Sequence, residues 1–297
     1  MASPARFSHY RFLSKIGRNA LFALKRNRGD ADSIRVTQKA AKSKQLLQVL
    51  PKVIEFEVTN RCNLKCVMCP HGMGAIESPR DADISLLDVL WPGMLQADYV
   101  HLNGVGEPMM SKPFWEVIDR LRGKKRPLIE FNTNGLLMTE ENVARLRQAP
   151  VWFILVSLDA ATRETYEDIR GGDFETVLEG IKRLVAPSKR NISVVMTYVL
   201  MKRNIEEAAA FVDLAARLGV KTVSYHHLTD TVIPAESWVV QKISGWKFVY
   251  TEQRLSNYPE LNNANMKKAI EAGKRLGVKV VGPDLFFKTP RIDTNGN

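Results

Sequence analysis

The sequence predicts an α/β fold, a partial (β/α)6 TIM-like barrel of parallel strands preceded by a basic helical arm. Three observations predict it. Apolar runs of strand length alternate with helical segments six times between residues 53 and 228, the pattern of parallel strands joined by right-handed crossovers. Each unit takes about 30 residues, the usual size of one such step, whereas a closed eight-unit barrel needs about 250. Six units therefore leave the barrel open. Finally, residues 1–52 hold twelve Lys or Arg against two Asp, so ten of the eleven net positive charges lie there and the body is close to neutral.

Taken in order, residues 53–59 form an apolar first strand that runs into a cysteine-bearing loop, followed by a helix over 85–95. A second strand over 99–103 and a helix over 114–121 come next, then a third strand over 128–132 with a helix over 140–148. The fourth strand, 151–158, leads to helical segments at 162–169 and 174–185. A fifth strand spans 192–199. The helix after it has the clearest limits: Asn204 as cap, Glu207 in the place of a capping-box acid and Gly219 as terminator. Its apolar residues Ile205, Ala208, Val212, Ala215 and Leu218 share one face. The sixth strand covers 221–226. Residues 229–260 show no clear pattern, and Arg275–Lys279 repeats the helix-end, glycine, strand order of Arg217–Lys221. The tail 289–297 is polar.

The organisation expected is a basic amphipathic arm over residues 1–50, the barrel over 51–228 and an extension over 229–297. In the arm Phe7, Tyr10, Phe12, Leu13, Ile16, Leu21, Phe22 and Leu24 interleave with Arg11, Lys15, Arg18, Lys25 and Arg26. Such a helix suits an anionic membrane surface or an acidic partner, or it packs its apolar side on the body and leaves its charges in water. No apolar run approaches the ~20 residues of a membrane span. Three cysteines in one loop are not a disulfide framework, so the expected compartment is the cytoplasm, with a peripheral membrane contact through the arm.

Chemistry concentrates at Cys62-Asn63-Leu64-Lys65-Cys66-Val67-Met68-Cys69, which holds the chain's three cysteines. They follow the carboxyl end of the first strand, where α/β barrels build active sites. Thiolates select zinc, copper(I) or iron–sulfur clusters. Structural zinc normally has four protein ligands, and His71 would complete a Cys₃His set. A redox pair of Cys66 and Cys69 leaves Cys62 unexplained. A cubane cluster on three cysteines leaves one iron open for chemistry.

The Cys-x-x-x-Cys-x-x-Cys spacing, led in by Glu57-Val58-Thr59-Asn60-Arg61, resembles the signature of the radical S-adenosylmethionine (radical SAM) superfamily. The resemblance continues in order: Asn103-Gly104-Val105-Gly106-Glu107-Pro108 after the second strand, Phe131-Asn132-Thr133-Asn134-Gly135 after the third, and Ser157-Leu158-Asp159 after the fourth. It implies a [4Fe–4S] cluster on Cys62, Cys66 and Cys69, with S-adenosylmethionine on the open iron. Reductive cleavage of that cosubstrate to a 5′-deoxyadenosyl radical follows, with hydrogen abstraction from a substrate. A flavodoxin- or ferredoxin-like one-electron donor is the implied partner.

On that reading Gly104 and Gly106 let backbone approach the methionine moiety, and Glu107 accepts from the cosubstrate ammonium. Ser157 and Asp159 address ribose or carboxylate, with helix capping by Asp159 or Thr162 as the alternative. Asn134 contacts ribose or simply makes an Asn-Gly turn. Arg170 offers a planar fork to a carboxylate or lies on the surface. Met68 replaces a frequent aromatic residue and covers adenine with its thioether. His226, His227, Tyr198, Lys202 and Tyr225 are candidates for the substrate rim.

Residues 278–287 look like the lead-in to the cysteine-rich extension of the SPASM/twitch branch, but no cysteine follows Cys69. Either the extension is truncated or this member works with one cluster. The substrate, whether peptide, carbohydrate or small metabolite, is not specified by the sequence. Two other functions fit part of it: a non-catalytic cluster- or zinc-binding protein that docks through its arm, and an RNA-modifying radical enzyme. The last should lose affinity steeply with salt.

Overall fold

The computed structural model describes residues 51–189, 192–229, 237–242, 244–282 and 286. The basic arm and the polar tail lie outside the described residues. The body is an open barrel-like layer of seven parallel strands with helices on its outer side.

In chain order the elements are β1 (Val53–Glu55), α1 (Leu86–Gln96), β2 (Tyr99–His101), a 3₁₀ turn (Pro108–Met110), α2 (Lys112–Arg120), β3 (Leu128–Thr133), α3 (Glu140–Leu146) and β4 (Val151–Ser157). Then follow α4 (Arg163–Ile169), α5 (Phe174–Val185), β5 (Ser193–Leu200), a 3₁₀ turn (Ile205–Glu207), α6 (Ala208–Arg217) and β6 (Thr222–His227). The chain continues through β7 (Val239–Gln241), β8 (Lys247–Val249), α7 (Tyr250–Gln253), a 3₁₀ turn (Leu255–Asn257), α8 (Pro259–Leu276) and β9 (Lys279–Val281).

Strands β1 to β6 lie side by side in sequence order, the sequential arrangement of a βα series. β9 adds a seventh parallel strand against β6, pairing Thr222 with Lys279 and Ser224 with Val281. The first ladder ends earlier than the apolar run. After Glu55 only the Phe56 amide still reaches the His101 carbonyl, and Thr59 instead bridges Asp81 in the antiparallel sense. The chain leaves the sheet there to form the cysteine loop.

Side chains alternate across each strand. One set, including Phe56, Val100, Phe131, Ile154, Met196 and Val223, joins the outer core against the helices. Phe131 meets Phe114 of α2 edge-on at 4.9 Å. Tyr198 and Tyr225 also belong to this outer set, packing with Phe211 and donating to the carbonyls of Asn204 and Ala208. They are therefore core residues and not rim residues.

Four of the eight helices among the described residues start on a side-chain cap. Ser111, Thr139, Thr162 and Asp173 cap α2, α3, α4 and α5 with their own oxygens. The helix after β5 departs from expectation. Asn204 makes no cap bond; its side chain holds Met201, Asp159 and Val199 backbone. Glu207 accepts from Ala161 and Thr162 amides and from the Thr162 and Thr165 hydroxyls, so it braces the turn that enters α4 from across the fold. Gly219 ends the segment at φ +80, as its sequence position implies. Among the described residues no helix is long and apolar enough to cross a membrane.

The stretch without a sequence pattern contains an antiparallel hairpin, β7–β8. Trp238, Phe248 and Tyr250 of this region form a second buried cluster with Val67, Ile169, Met201 and Leu228, and Met68 packs on its edge. That cluster lies against the cysteine loop.

Candidate active site

The cysteine loop is pinned by five ties. The Val67 amide donates to the Ile169 carbonyl at the end of α4, and Trp238 donates its indole N–H to the Val67 carbonyl. Arg61 pairs with Asp81 and donates to the Met110 carbonyl. The Glu107 amide donates to the Arg61 carbonyl at 2.7 Å. The fifth tie is Asn134, whose Nδ2 donates to Asn63 Oδ1 at 2.7 Å and lies 3.9 Å from Cys62 Sγ. The three thiols are free, with Cys66 buried and Cys62 and Cys69 partly buried.

Gly104 and Gly106 are explained first by this docking. A Cβ on Gly106 would lie 2.4 Å from the Arg61 carbonyl oxygen and 2.7 Å from that of Thr59. A Cβ on Gly104 would meet the Glu57 side chain at 2.5 Å, and Glu57 accepts from the Val105 amide. The backbone around Gly106 leaves no room for a side chain, whereas at Gly104 the exposed Glu57 side chain would have to move.

Glu107 is 2 % exposed. One carboxylate oxygen accepts from the Thr133 hydroxyl and the Met109 amide, and the other accepts from the Asn134 amide at 2.7 Å. Burial pushes its carboxyl up to about 7 against those hydrogen bonds and the Arg170 charge. The second oxygen keeps acceptor capacity for a cation. Asn134 makes the Asn-Gly turn as well, accepting from the Leu136 amide.

Arg170 is buried, donates through Nε to Asp159 Oδ2 at 2.7 Å and lies 3.7 Å from Cys66 Sγ through a terminal nitrogen. Asp159 stands at φ +62, an uncommon conformation for a residue with a side chain, and its other oxygen accepts from the Val199 amide. With both oxygens engaged and no exposure, Asp159 reaches a ligand only through Arg170. It caps no helix; Thr162 does. Burial raises the Asp159 carboxyl while Arg170 draws it down. Burial also opposes the Arg170 charge, but Asp159 outweighs it and holds the guanidinium above its ordinary value.

Burial likewise raises all three thiols, Cys66 to about 12, with Arg170 pulling the other way. Thiols this dry become thiolates when a metal centre sits beside them. Among the described residues, no three His, Cys, Asp or Glu converge as ligands of a single ion do. A cube-shaped cluster instead takes one thiolate at each of separate corners. The Tyr166 hydroxyl, buried without a hydrogen-bond partner among the described residues, interacts electrostatically with Cys66 and Arg170. The residues thus fit an iron–sulfur cluster in chemistry, spacing and surroundings. His71 bonds Asn60 backbone, and burial lowers its imidazole below the ordinary value.

Of the remaining candidates, Ser157 faces the barrel interior and accepts from Thr197 at 3.3 Å. His226 shares a hydrogen bond with Ser224 at 2.9 Å. His227 stacks on Phe286, and Lys202 lies over the Tyr258 ring. Sequence reasoning missed Trp238, Tyr166, Asn63 and Glu57. Only Asn63 and Glu57 carried a signal, because they flank the cysteines in the strand-to-loop passage.

The family model of the radical SAM superfamily matches residues 56–215. The chain is 30% identical over 171 residues to the mycofactocin maturase MftC of Mycobacterium tuberculosis, covering 57% of this chain and 43% of that one. It is 33% identical over 259 residues to an AdoMet-dependent heme synthase of Methanosarcina barkeri, covering 80% and 71%. It thus spans less than half of the maturase and nearly three quarters of the heme synthase. Among solved structures, SuiB of Streptococcus suis bound to S-adenosylmethionine superposes with a TM-score of 0.60 at 15% identity, over 96% of this chain and 63% of that one. AnSMEcpe with bound AdoMet gives 0.59 at 16%, over 78% and 61%. These likenesses show a shared fold. With its family match, three-cysteine loop and parallel sheet, the chain belongs to the radical SAM superfamily, enzymes that use a [4Fe–4S] cluster and S-adenosylmethionine.

Proposed function

We propose that Cys62, Cys66 and Cys69 hold the cluster and that this chain abstracts a hydrogen atom from a substrate bound in the barrel interior. The observation that carries the reading is the Arg170 bridge, which ties the Cys66 thiol to the strand-end residue Asp159. A docking protein has no use for a buried guanidinium between a thiol and a carboxylate. Bound at the three thiols, the cluster supplies the electron that cleaves S-adenosylmethionine to the 5′-deoxyadenosyl radical.

The chain's own residues orient and enclose. Glu107 receives the cosubstrate ammonium through the acceptor capacity left on the oxygen that binds Asn134. Arg170 offsets negative charge on the thiolates and stays charged because Asp159 holds it. Ser157 lies at the interior end of β4 for the ribose, Gly104 and Gly106 keep the second loop close, and Met68 lines the adenine side. The hairpin residues Trp238, Phe248 and Tyr250 exclude water from the loop. A flavodoxin- or ferredoxin-like protein delivers the electron. Residues 51–228 form the catalytic body, 1–50 a docking arm and 229–297 an extension that closes the sheet edge and covers the cysteines.

Anaerobic reconstitution with iron and sulfide, followed by dithionite, tests this. Wild type should form 5′-deoxyadenosine from S-adenosylmethionine, and Cys66→Ala should form none. Product from Cys66→Ala at the wild-type level, or oxygen-protected protein holding zinc and no sulfide, overturns it.

A further inference from the structure

The inner face of the first three strands carries polar groups that the cluster site does not use. Glu55, His101 and Glu130 occupy one row, in register across β1, β2 and β3. Since Phe131 points outward to Phe114, its neighbours Glu130 and Asn132 point into the barrel. The next residues along their rows on β4, Phe153 and Leu155, are buried yet stand outside the outer core. The interior therefore holds one buried acid, Glu130, beside the His101 imidazole and next to an apolar wall, while Glu55 is exposed. No Lys or Arg occurs in β1 to β6.

Two interior acceptors are unmet. Glu130 is 5 % exposed, and its Oε1 has no hydrogen-bond partner among the described residues. Its other oxygen lies 4.0 Å from His101 Nε2, beyond hydrogen-bond length. Asn132 Oδ1 is buried and unpartnered as well, while its backbone amide donates to Asn103. A buried acceptor left unmet costs about 1–3 kcal/mol, so two on one face mark a place where a donor belongs. Burial pushes the Glu130 carboxyl up to about 7. No three acidic, His or Cys side chains here are placed as ligands of one ion, among the described residues. An N–H donor of positive charge would meet both acceptors and complement the Glu130 carboxylate.

We propose that Glu130 and Asn132 form a substrate subsite for a primary ammonium group on an aliphatic stem, with Phe153 and Leu155 as the wall for the stem. The site lies deep. Glu130 precedes Asn134 by four strand positions, about 13 Å below the cysteine loop. An amine anchored there leaves its stem running up toward the thiols, so that carbon atoms well along a long stem come within reach of the radical. This subsite rests on the radical reading given above for its catalytic meaning, but not for its binding.

The test uses n-hexylamine as probe, with n-hexanol and hexanoate as neutral and anionic matches, titrated calorimetrically into the reconstituted full chain. Wild type should bind hexylamine at least tenfold more tightly than hexanol and should not bind hexanoate. Glu130→Gln should lose that tenfold preference, and Asn132→Ala should weaken hexylamine binding in the same direction. Circular dichroism confirms that each variant is folded, and either variant alone suffices. Equal hexylamine binding by wild type and Glu130→Gln, no preference over hexanol, or no binding by wild type overturns the subsite. Formation of 5′-deoxyadenosine is followed on the same wild-type preparation. Its absence would sink the radical reading and leave the amine result standing; its presence without amine preference sinks the subsite alone.

Discussion

Trp238 donates its indole N–H to the carbonyl of Val67 at 2.9 Å, across 171 positions of sequence. The bond ties the C-terminal hairpin to the middle of the cysteine loop, and the indole stacks on Tyr250 at 5.3 Å between ring centres. Trp238→Phe keeps most of the packing but strands a buried carbonyl, at a cost of about 1–3 kcal/mol. Trp238→Ala should cost about 3–5 kcal/mol. Urea unfolding measures both. The reconstituted cluster should bleach faster in air in the Ala variant than in wild type, followed by its visible absorbance. Equal bleaching would show that the hairpin does not shield the loop.

Arg170 and Asp159 form a buried pair, so removing one partner leaves the other charge without compensation. Arg170→Met should cost about 3–5 kcal/mol, and the double variant with Asp159→Asn should cost less than the sum of the two single changes. Denaturant unfolding of the four proteins gives the coupling directly. Strict additivity would mean that the two groups act independently.

Glu107→Gln keeps an oxygen for Thr133 or Asn134 but removes the charge. Binding of S-adenosylmethionine by the reconstituted protein should weaken about tenfold or more, as loss of a charge-assisted hydrogen bond implies. Iron and sulfide content should stay at the wild-type level. Unchanged affinity removes Glu107 from the cosubstrate site.

Glu130 gives stability a specific pH dependence. Its carboxyl titrates higher in the fold than in the unfolded chain, so the fold prefers it protonated. The contribution is fully present below about pH 4.5 and is lost as pH rises through about 7. The rise from 4.5 to about 7 corresponds to roughly 3 kcal/mol. Glu107 titrates in the same window, so the useful quantity is the difference between proteins. Glu130→Gln should gain roughly 3 kcal/mol on wild type between pH 4.5 and pH 8. A constant difference across that range would give Glu130 an ordinary carboxyl.

Gly106→Ala presses a methyl group onto the backbone of Thr59 and Arg61. Backbone cannot swing aside as a side chain can, so the second loop must lift from the cysteine loop. A loss of about 1–3 kcal/mol is expected, together with lower iron content after reconstitution. Thermal unfolding and iron analysis read the two effects. Full iron loading in a destabilised variant would uncouple the docking from the site.

The parallel order of strands was legible because apolar runs of strand length alternate with helical segments six times, and β1 to β6 lie side by side in that order. The caps Ser111, Thr139 and Asp173 were not singled out in the sequence, although they cap their helices in the structure. The cysteine spacing likewise marked the site by residue type alone. Contacts across the fold left no local trace. Glu207 reads as an acid at the start of its own segment, yet it serves α4, because four donors from residues 161–165 meet its carboxylate. The hairpin escaped notice because its strands are three residues each and too short to show a period. Asp159 pointed to a ligand contact by its place after β4, but the fold spends both its oxygens internally.

The reach of Glu207 has a consequence for how the chain is made. The turn that leads into α4, whose far end lies beside Arg170 and the Val67 amide, obtains the acceptor for its Ala161 and Thr162 amides from a residue that emerges later from the ribosome. A nascent chain halted before residue 207 therefore carries all three cysteines while the entry to the supporting helix still lacks that outside brace. Metal loading during synthesis would meet an unfinished socket, braced once the fifth unit is complete and covered only when Trp238 follows.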